Sequence, residues 1–111
     1  MGYYTDYKLS FDTSTVDEQE VFDYIDETFG QRFEDGYVNS KWYYHVPVMV
    51  DVSKKWPDVL FTLEGVGEES GDMWRKYFKN GKVQICPAVI TYPQFDESEM
   101  EVYSDKKRRI R

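Results

Sequence analysis

The sequence predicts an α+β domain in which an antiparallel sheet of about four strands has one or two helices packed on one face. Three observations lead to this fold class. Residues 3–11 and 59–64 alternate in the manner of half-buried strands. Residues 15–30 space their apolar side chains as an amphipathic helix does. Asn80-Gly81, between two apolar segments, is a strong hairpin signal.

The first helix has signals at both ends. Thr15 and Glu18 have the spacing of a capping box, and Gly30 is a typical C-terminal stop. Between these signals the apolar positions recur at helical intervals and are Val21, Phe22, Ile25 and Phe29. We therefore expect one helix to end at Gly30.

The sequence of residues 31–52 is compatible with more than one secondary structure. Residues 31–40 are rich in Gly, Asn, Asp and Ser and predict a loop or a short irregular strand. In residues 46–52, Pro47 suits the first turn of a second helix that ends at Trp56 before Pro57. The valines in the same segment favour a strand, so both alternatives stay open.

The C-terminal half predicts a meander. A strand over residues 59–64 is expected to break at Gly65 and Gly67. A two-residue turn at Asn80-Gly81 then pairs Lys79 with Lys82, Phe78 with Val83, Lys76 with Ile85 and Trp74 with Pro87. This register leaves Lys76 as the one charged residue on an otherwise apolar face. Residues 88–92 are expected to resume as an edge strand before Pro93.

Length and composition indicate one domain, residues 1–105, followed by a basic tail, residues 106–111. The sequence contains neither a span of roughly 20 apolar residues nor an N-terminal signal peptide. The lone Cys86 suits a reducing compartment. We expect a cytoplasmic protein, in a host cell, that does not bind membranes.

Charge is the most unusual property of the chain. Residues 12–35 contain nine carboxylates against a single cation, Arg32. Residues 1–105 carry 21 acidic side chains against nine basic ones, which is a net charge of −12. Such a surface repels phosphate and attracts basic clefts, so we expect no direct binding of nucleic acid.

Residues 53–82, SKKWPDVLFTLEGVGEESGDMWRKYFKNGK, carry a family resemblance. A Ser-Lys-Lys-aromatic-Pro-Asp stretch, an apolar strand, a Gly and Glu loop and a Trp-containing hairpin follow one another. This segment resembles the C-terminal, ferredoxin-like portion of small phage and prophage accessory proteins. The resemblance implies an open sheet with flanking helices and an origin in a mobile element, and it implies no catalytic residue.

Catalytic signatures are sparse. His45, the only histidine, lies among aromatic residues, which favours a packed or hydrogen-bonded role over a general base. Nothing in the sequence brings it to Cys86. The acids and glycines of residues 64–72 do not have the spacing of a calcium loop or of a phosphate-binding loop. We therefore expect no catalytic residues, no enzyme activity, no metal and no cofactor.

The leading hypothesis is a phage-type acidic accessory protein that inhibits a host or defence nucleic-acid-processing protein by occupying its basic surface, as an anti-CRISPR or similar anti-defence protein does. The expected partner-binding residues lie in two patches: Asp17, Glu20, Asp23, Asp26 and Glu27 on the first helix, and Glu68, Glu69 and Asp72 in the loop. One alternative is a structural phage component that self-associates into a homo-oligomer through an edge strand. A second alternative is a carboxylate-based metal protein or enzyme.

Overall fold

The computed structural model describes residues 2–103, and the basic tail predicted at residues 106–111 lies outside them. The described residues form five strands, two helices and one short 3₁₀ turn. In order these are β1 Thr5–Ser10, α1 Glu18–Phe29, β2 Tyr37–Ser40, α2 His45–Lys55, β3 Phe61–Gly67, β4 Met73–Lys79, β5 Lys82–Pro87 and the 3₁₀ turn Glu97–Glu99.

The strands form one antiparallel sheet in the order β2-β1-β3-β4-β5. The α+β class is confirmed, but the sheet has five strands rather than about four. The additional strand is β2, whose four residues pair with β1 at one edge. The elements run β-α-β-α-β-β-β instead of β-α-β-β-α-β, so a ferredoxin-like fold is not confirmed.

Both helices contribute to one core on a single face of the sheet. Alternate residues of β1 are buried, as its sequence pattern predicts. They pack with the apolar sides of α1 and α2 and with β3 and β4. The fully buried large side chains of this core are Phe61, Phe78, Ile25, Met49, Leu63, Val21 and Val52. The other face of the sheet, called the open face below, has no helix on it among the described residues.

Helix α1 ends as predicted but begins differently. Gly30 adopts φ 75° and donates its N–H to the Asp26 carbonyl at 2.9 Å, which is the expected left-handed cap. The N-cap, however, is Asp17, whose carboxylate accepts from the Gln19 N–H at 3.0 Å. The prediction of a cap at Thr15 was wrong, because Asp caps a helix as well as Thr does and stands closer to the apolar repeat.

Residues 45–55 are helical, which settles the alternative between helix and strand. Val48, Met49 and Val52 are buried, and a helix is the conformation that turns all three to one side. Ser53 is also fully buried. Its hydroxyl donates to the Val50 carbonyl and accepts from the Gly81 N–H, each at 2.8 Å, and so ties α2 to the β4–β5 turn.

The β4–β5 hairpin has the predicted register at all four pairs. The predicted break at Gly65 was wrong, because β3 continues through it to Gly67. The indole of Trp74 lies on Gly65, so that a Cβ at this position would overlap the ring. Glycine is therefore needed in this strand for close packing rather than for a turn.

The C-terminal residues differ most from expectation. Residues 88–92 do not form an edge strand, and the last hydrogen bond to the sheet joins the Ala88 N–H to the Met73 carbonyl at 2.9 Å. Residues 88–103 are exposed throughout. On β5, Val83 and Ile85 lie on the helix-covered side yet are 38% and 57% exposed, because α2 covers this edge strand only in part.

Among residues 2–103, neither helix has the length and apolar character required to cross a bilayer.

We expect Gly65→Ala to lower the free energy of unfolding by about 1–3 kcal/mol, since the added methyl group must displace a packed indole. Urea denaturation monitored by far-UV circular dichroism measures the change. In a Trp74→Leu background the same substitution should cost much less, because the obstructing ring is gone. Equal costs in both backgrounds would contradict the packing account.

Candidate functional site

Four of the five carboxylates predicted on the first helix lie together. Asp17, Glu20, Asp23 and Glu27 line a shallow groove of about 410 Å³. This arrangement, called the acidic groove below, follows from their spacing of three or four residues, which places side chains on one side of a helix. The other side of α1 carries the buried Val21 and Ile25, so core packing directs the acids toward water.

The fifth carboxylate of this patch, Asp26, lies farther around the helix. It is half-buried and borders a neighbouring depression that also contains Arg32 and Phe33, with Asp23 shared between the two. Asp26 therefore extends the acidic surface sideways instead of lengthening the groove.

The acids of the groove have few partners among the described residues 2–103. In residues 2–103 the one ion pair is Glu64–Arg75, at 3.1 Å on the open face. Gln19 donates a side-chain N–H to Asp23 at 2.8 Å. Lys55 lies at the groove, but its Nζ stands over the Tyr24 ring, 5.0 Å from the centroid, instead of pairing with a carboxylate. The local potential is thus strongly negative.

Tyr24 joins the groove to α2. Its hydroxyl donates to the Asp51 carboxylate at 2.6 Å, and this hydrogen bond is the main reason that the pKa of Tyr24 is raised. The ring also packs edge-on against Phe29 and Trp56. The wall behind the acids is therefore held by packing and hydrogen bonding, and the groove is a formed feature of the fold.

The loop patch, Glu68, Glu69 and Asp72, is engaged within the chain. Tyr3 donates its hydroxyl to the Asp72 carboxylate, which is the main cause of the raised pKa of Tyr3. Glu68 accepts the Tyr4 N–H at 2.6 Å, and the Glu69 N–H donates to the Tyr3 hydroxyl at 3.0 Å. This patch anchors the N-terminal residues, a contact between distant parts of the chain that has no local sequence signal.

The sequence patterns also missed a cluster around His45. Lys76 donates from Nζ to His45 Nε2 at 2.7 Å, so His45 Nδ1 carries the proton that it donates to the Trp42 carbonyl at 2.8 Å. The imidazole stacks on Trp74, with the centroids 5.0 Å apart. Lys76 is thus accommodated on the covered face of β4. Both ring nitrogens are occupied, and this arrangement holds an imidazole in place without presenting it as a base.

Cys86 and His45 do not meet. Cys86 pairs with Arg75 on the open face of the sheet, whereas His45 stacks on the covered side. In the part of the chain that the structure describes, no group of three or more His, Cys, Asp or Glu side chains is arranged to hold a metal ion.

Comparison of the chain with protein-family models, curated proteins and solved structures found no match in any of the three.

We expect the free energy of unfolding to decrease as the pH is lowered through the range in which His45 gains a proton. Burial lowers the pKa of His45 in the folded chain, the Trp42 carbonyl partly opposes this, and the Lys76 charge adds to the lowering. The unfolded chain therefore binds a proton first as pH falls below about 7. The contribution is fully present above the unfolded pKa of about 6.5 and is lost toward the lower folded pKa.

Urea unfolding at a series of pH values between about 5.5 and 7.5 checks this expectation, since most carboxylates titrate below that range. His45→Gln retains an amide that donates and accepts hydrogen bonds but does not titrate. Its free energy of unfolding should depend less on pH than that of the natural chain. The same slope in both proteins would show that His45 is not the responsible group.

Proposed function

We propose that this protein acts by binding rather than by catalysis. Its acidic groove docks on the basic surface of a host or defence protein that processes nucleic acid, and it inhibits that protein by excluding the nucleic acid. The observation that carries the proposal is the row formed by Asp17, Glu20, Asp23 and Glu27, which are exposed and form no ion pair within the described residues.

The spacing of these charges supports nucleic-acid mimicry. Ten residues separate Asp17 from Glu27, so the acids extend over about 15 Å of helix at 1.5 Å per residue. The four acids of the row thus supply one negative charge per roughly 4–5 Å of helix axis, and Asp26 adds a fifth charge beside the row. One strand of duplex DNA carries a phosphate per about 3.4 Å of axis. A basic channel that accepts a phosphate backbone therefore finds a similar linear charge density on α1.

The rigidity of the groove supports an inhibitory role. Its acids are borne by a helix whose inner side is buried and whose ends are capped by Asp17 and Gly30. A partner thus meets charges on a backbone that is already ordered, and little backbone conformational entropy is lost on binding. Exposed charges of this kind accelerate encounter and select the partner.

The biological setting in the proposal is a phage-type protein that acts in the host cytoplasm against a defence nuclease, in the manner of an anti-CRISPR protein. This part rests on the resemblance of residues 53–82 to phage and prophage accessory proteins. The charge is consistent with it, since a body of net charge −12 in residues 1–105 opposes direct binding to nucleic acid.

Charge reversal tests the groove. We expect the triple variant Glu20→Lys, Asp23→Lys and Glu27→Lys to weaken binding to the captured partner by at least about 100-fold, since attractive contacts become repulsive. The matched control reverses three exposed acids that line neither the groove nor the neighbouring depression, Asp12, Glu18 and Asp58, and so has the same net charge. Circular dichroism verifies that both variants are folded. Equal affinities for the two variants would refute a specific role of the groove.

The partner is obtained by capture on the tagged protein from a bacterial lysate at about 0.1 M salt, followed by elution at about 1 M, where exposed charges are screened. We expect basic nucleic-acid-processing proteins in the eluate, and duplex DNA should compete with their capture. Partners without a basic cleft, or binding that neither salt nor DNA reduces, would contradict the proposal.

A further inference from the structure

The C-terminal residues 88–103, called the arm below, expose an unusual amount of apolar surface. Val89 is 87% exposed, Tyr92 84% and Phe95 78%. Ile90, Met100, Val102 and Tyr103 are exposed as well. Apolar side chains concentrated in one segment outside the core mark an interaction site, because burying each one is favourable.

The arm is also purely acidic. It contains Asp96, Glu97, Glu99 and Glu101 and no Lys or Arg. Around the 3₁₀ turn, the Asp96 carboxylate accepts the Ser98 N–H at 3.0 Å and the Ser98 hydroxyl at 2.7 Å. These bonds lower the pKa of Asp96 and keep it ionised. A surface that receives the arm must therefore be both apolar and basic.

Such a surface lies at the tip of the β4–β5 hairpin. A depression of about 500 Å³ there is bordered by Leu60 and Tyr77 and by two exposed lysines, Lys79 and Lys82. Asp58 is the acid on its rim. Lys79 and Lys82 are directly opposite in the ladder. Like charges in that position repel each other, and an acidic ligand relieves the repulsion. We call this depression the basic pocket.

We propose that the arm of one copy docks in the basic pocket of a second copy, with the two chains exchanging arms about a two-fold axis. The charges are complementary, and both surfaces carry apolar groups. Within one chain the arm leaves the sheet at Pro87, at the opposite end of β5 from Lys82, and each of its large apolar side chains is at least half exposed. About a two-fold axis, each arm docks in the pocket of the other chain, so that both pockets are filled in the same dimer.

The available area is sufficient for a specific dimer. Tyr92, Phe95 and Tyr103 are aromatic side chains that bury about 150–250 Å² each when covered. Since these side chains are 65–84% exposed, two exchanged arms bury roughly 700–1,100 Å² from these rings alone, before the covered surface of the pockets is added. Stable interfaces begin near about 1,000–1,200 Å² in total.

Sedimentation equilibrium over a range of concentrations tests the exchange on the full chain. We expect a dimer for the natural protein. A pocket variant, Lys79→Glu with Lys82→Glu, and an arm variant, Asp96→Lys with Glu97→Lys and Glu99→Lys, should each dimerise at least about tenfold more weakly. The matched control for the pocket variant is Lys8→Glu with Lys41→Glu, both exposed positions outside the pocket, which should remain dimeric.

Mixing the pocket variant with the arm variant gives the decisive measurement. In the mixed dimer the acidic arm of the pocket variant meets the lysine-containing pocket of the arm variant, and the basic arm of the arm variant meets the glutamates of the pocket variant. A heterodimer should therefore form from two chains that associate only weakly with themselves. An arm that folds back on its own chain leaves the natural protein monomeric, which overturns the proposal. A dimer that neither variant weakens shows that copies associate through another surface and overturns it equally. Either result leaves the acidic groove on α1 as a separate question.

Discussion

The indole of Trp74 lies against Gly65 on the covered face of the sheet and couples helix α2 to the central strands. It stacks on His45 at the start of α2 and approaches the Tyr7 ring on β1, with centroids 5.9 Å apart. The Nζ of Lys76 stands over the Trp74 indole, 4.1 Å from the ring centroid, and donates a hydrogen bond to His45 Nε2. One aromatic side chain thus joins the first turn of α2 to β4 and β1.

The covered area is limited, and the exposed surfaces follow from that limit. Two helices of 12 and 11 residues protect the centre of the covered face, while β5 and the open face meet water. The core uses the apolar side of α1, so the carboxylates of that helix project away from the sheet. Lys79 and Lys82 lie on the open face at the hairpin tip. The fold therefore keeps the acidic groove of α1 and its hairpin lysines on opposite sides of the sheet.

The parts of this structure that could be predicted from the sequence are those governed by local geometry. The Asn80-Gly81 turn determines the hairpin register, and helical periodicity brings four carboxylates into one groove. Contacts between distant residues had no such signal. The Trp74 indole packs over Gly65 in a strand that was expected to break there. The Tyr3 hydroxyl donates a hydrogen bond to the Asp72 carboxylate, 69 residues away in the sequence. Residues 88–92 carry strand-like side chains, yet pairing with the sheet stops at Ala88.

The acidic groove and the arm differ in how binding acts on the chain. The acids of the groove are borne by a packed helix, so binding a partner costs little backbone conformational entropy. The arm loses conformational freedom when it docks, at about 1–2 kcal/mol per backbone residue, and a single arm is a weak ligand. Reciprocal exchange offsets this cost. Once the first arm has docked, the second arm and its pocket are held in one assembly, so the second docking event is intramolecular. The basic pocket lies on the open face and α1 on the covered side. An arm-exchanged dimer consequently keeps both acidic grooves accessible and presents two copies of the same charge pattern to a partner.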